Sequence, residues 1–318
     1  MPRLLILAAL TLSASIAAAE PAQVEMVQPP ASVGAGDEQR PLAPGMALGS
    51  GDLLHVGDAG RLRLRLAEGS AVKVGSDARL RLTQLRAAAD GDGGGAVQSE
   101  GEGGGGAQRG DAVIVNEPGD RGVFRGLLDI IGGAFRFTTD SEAEDRARDI
   151  EFRVGPFVTG IRGTDIWGKA TADRQFVVLL EGEVDVRVDS QTGRLTQPGT
   201  AVVASNDGEP QIGVSIDPDT IQRFARETEP VEGQARLIVD GPWIVMLDTA
   251  DERKRARRAA RRYRAAGYPA EVIPAQIDGG LGYRVAVAGA ATRAGAAALG
   301  ERFEREFGVD EAGVQRRD

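Results

Sequence analysis

The segment "ERKRARRAARRYR" sets Arg253, Lys254, Arg255, Arg257, Arg258, Arg261, Arg262 and Arg264 in one short run of a chain whose net charge is -9. Cations at that density bind anions. Arg253, Arg257, Arg258 and Arg261 are therefore candidates for a patch that meets an anionic partner: cell-wall carboxylates, lipid headgroups or an acidic protein. The same spacing also suits a solvated helix face. Nucleic acid would fit such a helix, but the export signal described below argues against it, and no nucleic-acid partner is expected.

Catalytic chemistry finds little support. The chain has no cysteine and one histidine, His55, so thiolate chemistry and a His/Cys metal cluster are excluded. A Ser-His-Asp triad would have to recruit His55, and no G-x-S-x-G accompanies it. The carboxylate pairs Glu181/Glu183, Asp185/Asp189 and Asp140/Glu142 could meet the separation a glycan hydrolase needs, ~5–9.5 Å. Alternating acids on a strand are more simply its wet face. No catalytic residue, metal or cofactor is expected. One motif stays open: "TGIRGTDIWGK", in which Gly160, Arg162, Gly163 and Thr164 read either as a charged site or as a turn that the fold requires. The favoured reading gives Gly160 and Gly163 backbone freedom that a Cβ would obstruct. It half-buries Trp167, and it buries Arg162 against carbonyls or an acid such as Asp165 or Glu181, because an unpaired buried charge is costly.

These residues sit on elements of two textures. "RLRLRLAEGSAVKVGSDARLRL" alternates at period two. That pattern predicts strands with Leu62, Leu64, Leu66, Val72, Val74, Leu80 and Leu82 inward and Arg61, Arg63, Arg65, Lys73, Arg79 and Arg81 in water. Strand signals resume at "DAVIVN" and continue through "GVFRGLLDIIGGAFRFTT", "IEFRVGPFVTGIRGTDIWGKA", "RQFVVLLEGEVDVRVDS" and "GTAVVAS". The run "VVLLEGEVDVRV" predicts a hairpin turning at Gly182. "SEAEDRARD" (Ser141 to Asp149) reads as a charged loop. The low-complexity stretch 87–110 reads as a flexible insert, because it has neither the following helix nor the Lys of a phosphate loop.

Residues 45–205 are thus expected to form an antiparallel β-sandwich or roll. A polar, Pro-rich lead-in (20–44) precedes it. A linker with one short helix capped by Asp217 or Asp219 (206–235) follows. From 236 the order βαββαβ predicts a small α+β domain of the ferredoxin-like, split-βαβ kind, running to 318. Its first strand is "ARLIVDGPWIVMLD" and its helices close at Gly267 and Gly308. The fold class is multidomain and mainly β.

The N-terminus "MPRLLILAALTLSASIAAAEP" has an early Arg, an apolar run from Leu4 to about Leu12, and Ala17 and Ala19 before Glu20. It reads as a signal peptide (1–19), and the protein is expected to be exported and periplasmic. The apolar run is short of the ~20 residues of a span, and no transmembrane segment is expected.

Two resemblances follow. "GSGDLLHVGDAGRLRLRLAEGSAVKVGSDARLRL", together with "FVTGIRGTDIWGK" and "FVVLLEGEVDVRV", resembles the FecR domain of bacterial envelope proteins over roughly 45–205. The anti-sigma segment and transmembrane helix of the full FecR architecture have no counterpart here. "WIVMLD" and "GYRVAVAGAATRAGAAALGERF", with the turn at Gly289, resemble SPOR domains, which bind peptidoglycan glycan strands stripped of stem peptides. That resemblance implies a binding surface on the open sheet face, with Met246, Thr249, Tyr283 and Arg284 as its residues. Met246 stands where the family often has Gln, and Ala290-Ala291 where it has a Pro-Phe pair.

The expectation is a non-enzymatic exported envelope protein. A FecR-like scaffold or interaction domain, with an envelope protein as partner, would be tethered to peptidoglycan by a SPOR-like domain. The alternative is a FecR-type periplasmic signalling or regulatory protein that binds an envelope receptor.

Overall fold

The computed structural model describes residues 20–86, 123–140, 148–188, 190–205, 208–277 and 279–317, except the side chains of Asp37 and Arg162. The expected leader, the glycine-rich insert, the strand at 111–116 and most of the charged segment after Ser141 lie outside them.

The chain runs β1 (Ala22–Gln28), β2 (Ala31–Val33), β3 (Arg40–Pro41), β4 (Ala47–Leu48), β5 (Leu53–Val56), β6 (Arg61–Leu66), β7 (Ala71–Val74), β8 (Arg79–Arg86) and β9 (Phe124–Thr138). It continues with β10 (Arg148–Val154), β11 (Phe157–Ala170), β12 (Arg174–Val188), β13 (Gln191–Leu195), β14 (Thr200–Ser205), β15 (Gly208–Ser215) and α1 (Pro218–Thr228). The last part is β16 (Leu237–Ile238), β17 (Trp243–Ala250), α2 (Arg253–Ala265), β18 (Ala270–Ile277), β19 (Gly280–Ala290), α3 (Arg293–Phe307) and β20 (Gly313–Arg316). The protein is mainly β.

The period-two reading of β6 to β8 holds on its apolar side. Leu62, Leu64, Leu66, Val72, Val74, Leu80 and Leu82 are all buried in one core. Arg61 departs from it. It is buried, its Nε donates to the Glu229 carbonyl at 3.0 Å and its Nη1 to the Gly60 carbonyl at 2.7 Å. Burial lowers its pKa, opposed by Glu227 and Asp77.

β9, β11 and β12 are long and serve two pairing surfaces. The first half of β9 pairs with β8 and β10, and its second half with β7 and β11. β11 and β12 pair along their whole length, with register shifts around Arg162 to Ile166. The two surfaces meet in the core, where Phe152 of β10 contacts Phe135 and Phe137 of β9 at ring distances of 5.1 and 5.2 Å. β9 and β10 are parallel, against the expectation of wholly antiparallel strands. Once β9 has crossed to the second surface at Gly132-Gly133, the chain re-enters the first surface in its original direction.

Three further expectations are corrected. Residues 20–44 are not a loose lead-in. β1 pairs with β6 from Ala22↔Leu66 to Gln28↔Arg61, and Val24, Val27, Ala31, Val33 and Leu42 are buried. A register shift between Val24 and Met26 breaks the alternation that would have marked the strand.

Residues 206–235 are not a plain linker either. β15 pairs with β14, and Pro210 is tolerated there because β15 is an edge strand. α1 is capped by Asp217, whose carboxylate accepts from the Thr220 N–H at 2.9 Å. It packs Ile221 and Phe224 on the outer side of β12, β14 and β15.

Finally, β12 is one continuous strand and not a hairpin. Gly182 sits at φ +80° opposite the Gly163 bulge, φ +61°. A Cβ on Gly182 would lie 2.2 Å from the Gly163 carbonyl oxygen. A positive-φ glycine in a strand carries the same signal as a turn glycine, and here it makes a bulge.

The C-terminal unit has its own core, with Val245, Leu247, Tyr263, Tyr268, Val285, Val287 and Phe303 among its buried residues. Its strands pair antiparallel in the order β18–β19–β17–β20. α2 and α3 supply Ala256, Ala260, Tyr263, Ala296, Leu299 and Phe303 to the core. The first expected strand divides into β16 and β17, because Asp240 (φ +54°), Gly241 and Pro242 interrupt the pairing. β16 pairs with both β1 and β19, so the sheet passes from one unit into the other.

Candidate functional site

Antiparallel partners share a sheet face, and successive residues of a strand alternate faces. Val245↔Val287 and Val272↔Val285 face the helices, since all four contribute to the core beneath them. The other face then carries Met246↔Ala286, Glu271↔Ala286, Thr249↔Arg284, Ile273↔Arg284 and Ile244↔Ala288. Thr249 is exposed, and Met246 and Arg284 are half-buried. Arg284 has no ion pair among the described residues.

Met246, Thr249 and Arg284 therefore come together. Met246 and Thr249 are three apart and share a face only because the register shifts between Met246 and Asp248. Tyr283 is a correction. It pairs with Ala250 and Pro274 and packs on the helix-side core. As the neighbour of Arg284 on a regular strand it has to point the opposite way. The same alternation brings in Ile244, Ile273 and Ala288, which the resemblance did not name.

Behind the face, the Tyr263 hydroxyl donates to the Asp248 carboxylate, and that of Tyr268 to Glu306 at 3.3 Å. Burial raises both tyrosine pKa values, and the neighbouring carboxylates add to it. These bonds tie β17 to α2 and β18's entry to α3, which holds the sheet flat against its helices.

The cationic stretch forms α2. Arg253, Lys254, Arg255, Arg257, Arg258 and Arg261 are all exposed, while Ala256, Ala260 and Tyr263 face the core. None of the six has an ion pair among the described residues. Arg262 lies over the Phe307 ring at 5.3 Å, and Arg264 Nε donates to the Ala270 carbonyl at 2.6 Å.

The "TGIRGTDIWGK" motif is built into β11. Gly160 lies in ordinary extended backbone, and a Cβ there would meet only Asp185, at 4.0 Å. It supplies no special freedom, in contrast to Gly163. Thr164 is buried, and its N–H donates to Thr139 Oγ1 at 3.0 Å. The side chain of Arg162 lies outside the described residues. Asp165 is held by Arg136, whose Nε and Nη2 donate to its two oxygens at 2.9 and 2.6 Å. That bond raises the Arg136 pKa. Trp167 is fully buried rather than half-buried, because α1 covers it. Its ring stacks on Phe224 at 4.4 Å, with 2° between the planes.

His55 lies 3.1 Å from the Gly34 carbonyl through Nε2. Glu183 and Asp185 both face Arg194, while Asp189 and Glu142 lie outside the described residues. Among the described residues no group of three His, Cys, Asp or Glu could hold a metal ion, and no helix is long and apolar enough to cross a membrane.

The decisive likeness is to this C-terminal unit. Residues 239–311 match the SPOR domain. The match covers β17 to α3 and stops short of β16 and β20. Among solved structures, two crystal structures of an anti-sigma-factor candidate from Parabacteroides distasonis ATCC 8503 are similar at 11% identity. One has a TM-score of 0.38 and covers 80% of this chain and 91% of that one. The other has a TM-score of 0.36, with 72% and 96% covered. At those scores the likeness supports no conclusion about fold or function. No curated protein matches the chain.

Proposed function

We propose that this is a non-enzymatic, exported envelope protein held to peptidoglycan glycan strands by its SPOR domain. In this reading the domain has the ferredoxin-like, split-βαβ fold, and the β-unit is a FecR-like sandwich that presents an interaction surface to an envelope protein. The observation that carries the reading is the helix-free sheet face of the SPOR unit. Ile244, Met246, Thr249 and Arg284 line it, with Ala286 and Ala288 keeping the strands between them low. Shallow apolar ground with a few hydrogen-bonding groups suits the alternating faces and hydroxyls of a sugar chain. Arg284, which makes no ion pair among the described residues although Glu271 shares its face, is placed to hold a lactyl carboxylate exposed by loss of the stem peptide.

Co-sedimentation with sacculi stripped of stem peptides tests the reading. The full chain should pellet with them, and Met246→Asp and Arg284→Glu should each reduce the pelleted fraction, whereas Tyr283→Phe should not. Failure of the unaltered chain to pellet, or indifference to both face variants, would remove the glycan assignment.

A further inference from the structure

We propose that α2 is a docking surface for an anionic phospholipid bilayer. The helix contains no Asp or Glu from Arg253 to Ala265. With ~3.6 residues per turn, Lys254, Arg257, Arg258 and Arg261 occupy the middle roughly 100° of its outer side, farthest from the core; Arg253 and Arg255 flank them. All six are exposed and without an ion pair among the described residues. Elsewhere on the protein several arginines are neutralised: Arg63 by Glu25, Arg136 by Asp165, Arg194 by Asp185, Arg302 by Glu306. In a chain of net charge -9, this cluster is a local exception and not a general surplus of positive charge.

The composition of the patch selects the partner. A protein interface needs a desolvated centre with aromatic or aliphatic anchors, and charged residues are depleted there. The outer arc of α2 offers no apolar side chain larger than Ala265. A lipid surface requires no such anchor. Its headgroup phosphates form a planar array that draws cations electrostatically, and long arginine stems on the flanks can reach down to it. The helix also lies on the side of the sheet away from Met246, Thr249 and Arg284. The SPOR unit can therefore meet two parallel layers at once, a membrane on α2 and the wall on the open face. That bridging consequence rests on the peptidoglycan reading, but lipid binding itself does not.

The test is flotation of the full chain with vesicles of phosphatidylcholine alone and of phosphatidylcholine mixed with phosphatidylglycerol. Binding is expected only to the mixed vesicles and should fall as salt rises. Each Lys or Arg near an anionic surface contributes about fivefold in affinity, so R257Q/R258Q/R261Q should weaken binding on the order of a hundredfold. R257K/R258K/R261K should retain it. All three positions are exposed and make no ion pair among the described residues, so circular dichroism of either variant should match the parent.

No flotation with the mixed vesicles would overturn the proposal, as would equal binding by the Gln variant. So would loss on Lys replacement, or binding of a DNA duplex or of sacculi through these three residues with none to vesicles. The Gln variant should still pellet with stripped sacculi as the parent does, so failure of the lipid arm and failure of the glycan arm are read separately.

Discussion

At the scale of single residues, alternation decides more than residue type. Tyr283 and Arg284 both look like ligand-binding side chains, yet adjacent positions of a strand cannot serve one face. The core packing under Tyr283 shows which of the two turns outward. The same logic separates Gly160 from Gly163 and Gly182. Only the latter two have positive φ, and they face each other across the β11–β12 bulge. Gly182→Ala should therefore cost more than the ~1–2 kcal/mol of a left-handed non-glycine residue, because its Cβ also meets the Gly163 carbonyl. Gly160→Ala should leave the urea midpoint nearly unmoved. A smaller effect at Gly182 than at Gly160 would contradict the bulge as the reason for the motif. Trp167→Ala empties the space between β11 and Phe224 and should cost ~3–5 kcal/mol in the same assay.

At the scale of elements, legibility followed hydrophobic period. β6, β7, β8, α2 and α3 carry clean patterns and lie where their sequences put them. β1 was hidden by a bulge, and β15 by the Gly and Pro that an edge strand tolerates. The unbroken β12 was hidden by a glycine that serves a bulge instead of a turn. Only β1 depends on a partner distant in sequence, β6; β15 and β12 pair with their chain neighbours β14 and β11, and there the glycine and proline that serve as turn signals mask the strand.

The α2–α3 layer makes a pH prediction. Burial holds Tyr263 and Tyr268 protonated above the ordinary tyrosine value of 10.0. Above that value the unfolded chain releases protons that the native one keeps. Stability is therefore complete below it and is lost as pH rises toward the raised native values. Phenolate absorbance should appear together with loss of helix signal in strong alkali, and Tyr263→Phe should lessen the alkaline loss. Full ionisation of all three tyrosines with the helices intact would contradict this packing.

At the scale of the whole molecule, the two units are bound by a junction that neither unit's sequence announces. β1 pairs with β6 on one side and with β16 on the other, so Val27 of one core stands opposite Leu237 of the other. Gln28 is buried. Its Nε2 donates to Gln234 Oε1 at 2.9 Å, and its Oε1 accepts from the Val231 N–H at 2.9 Å. The Ala31 N–H donates to the Gly267 carbonyl at 3.1 Å, and Arg302 reaches the Pro29 carbonyl at 3.4 Å.

A shared strand and buried polar bonds couple the two cores, so the full chain should unfold in one step. The two tryptophans divide between the units: Trp167 is in β11 and Trp243 in β17. In the Trp243→Phe protein, fluorescence then reports the β-unit. Helical ellipticity reports chiefly the SPOR unit, which holds two of the three helices among the described residues. The two signals should share one urea midpoint. Gln28→Ala strands the Val231 N–H and the Gln234 side chain and should lower that midpoint by the equivalent of ~1–3 kcal/mol. Two separate midpoints in the Trp243→Phe protein would mean that the β1–β16 pairing does not couple the cores.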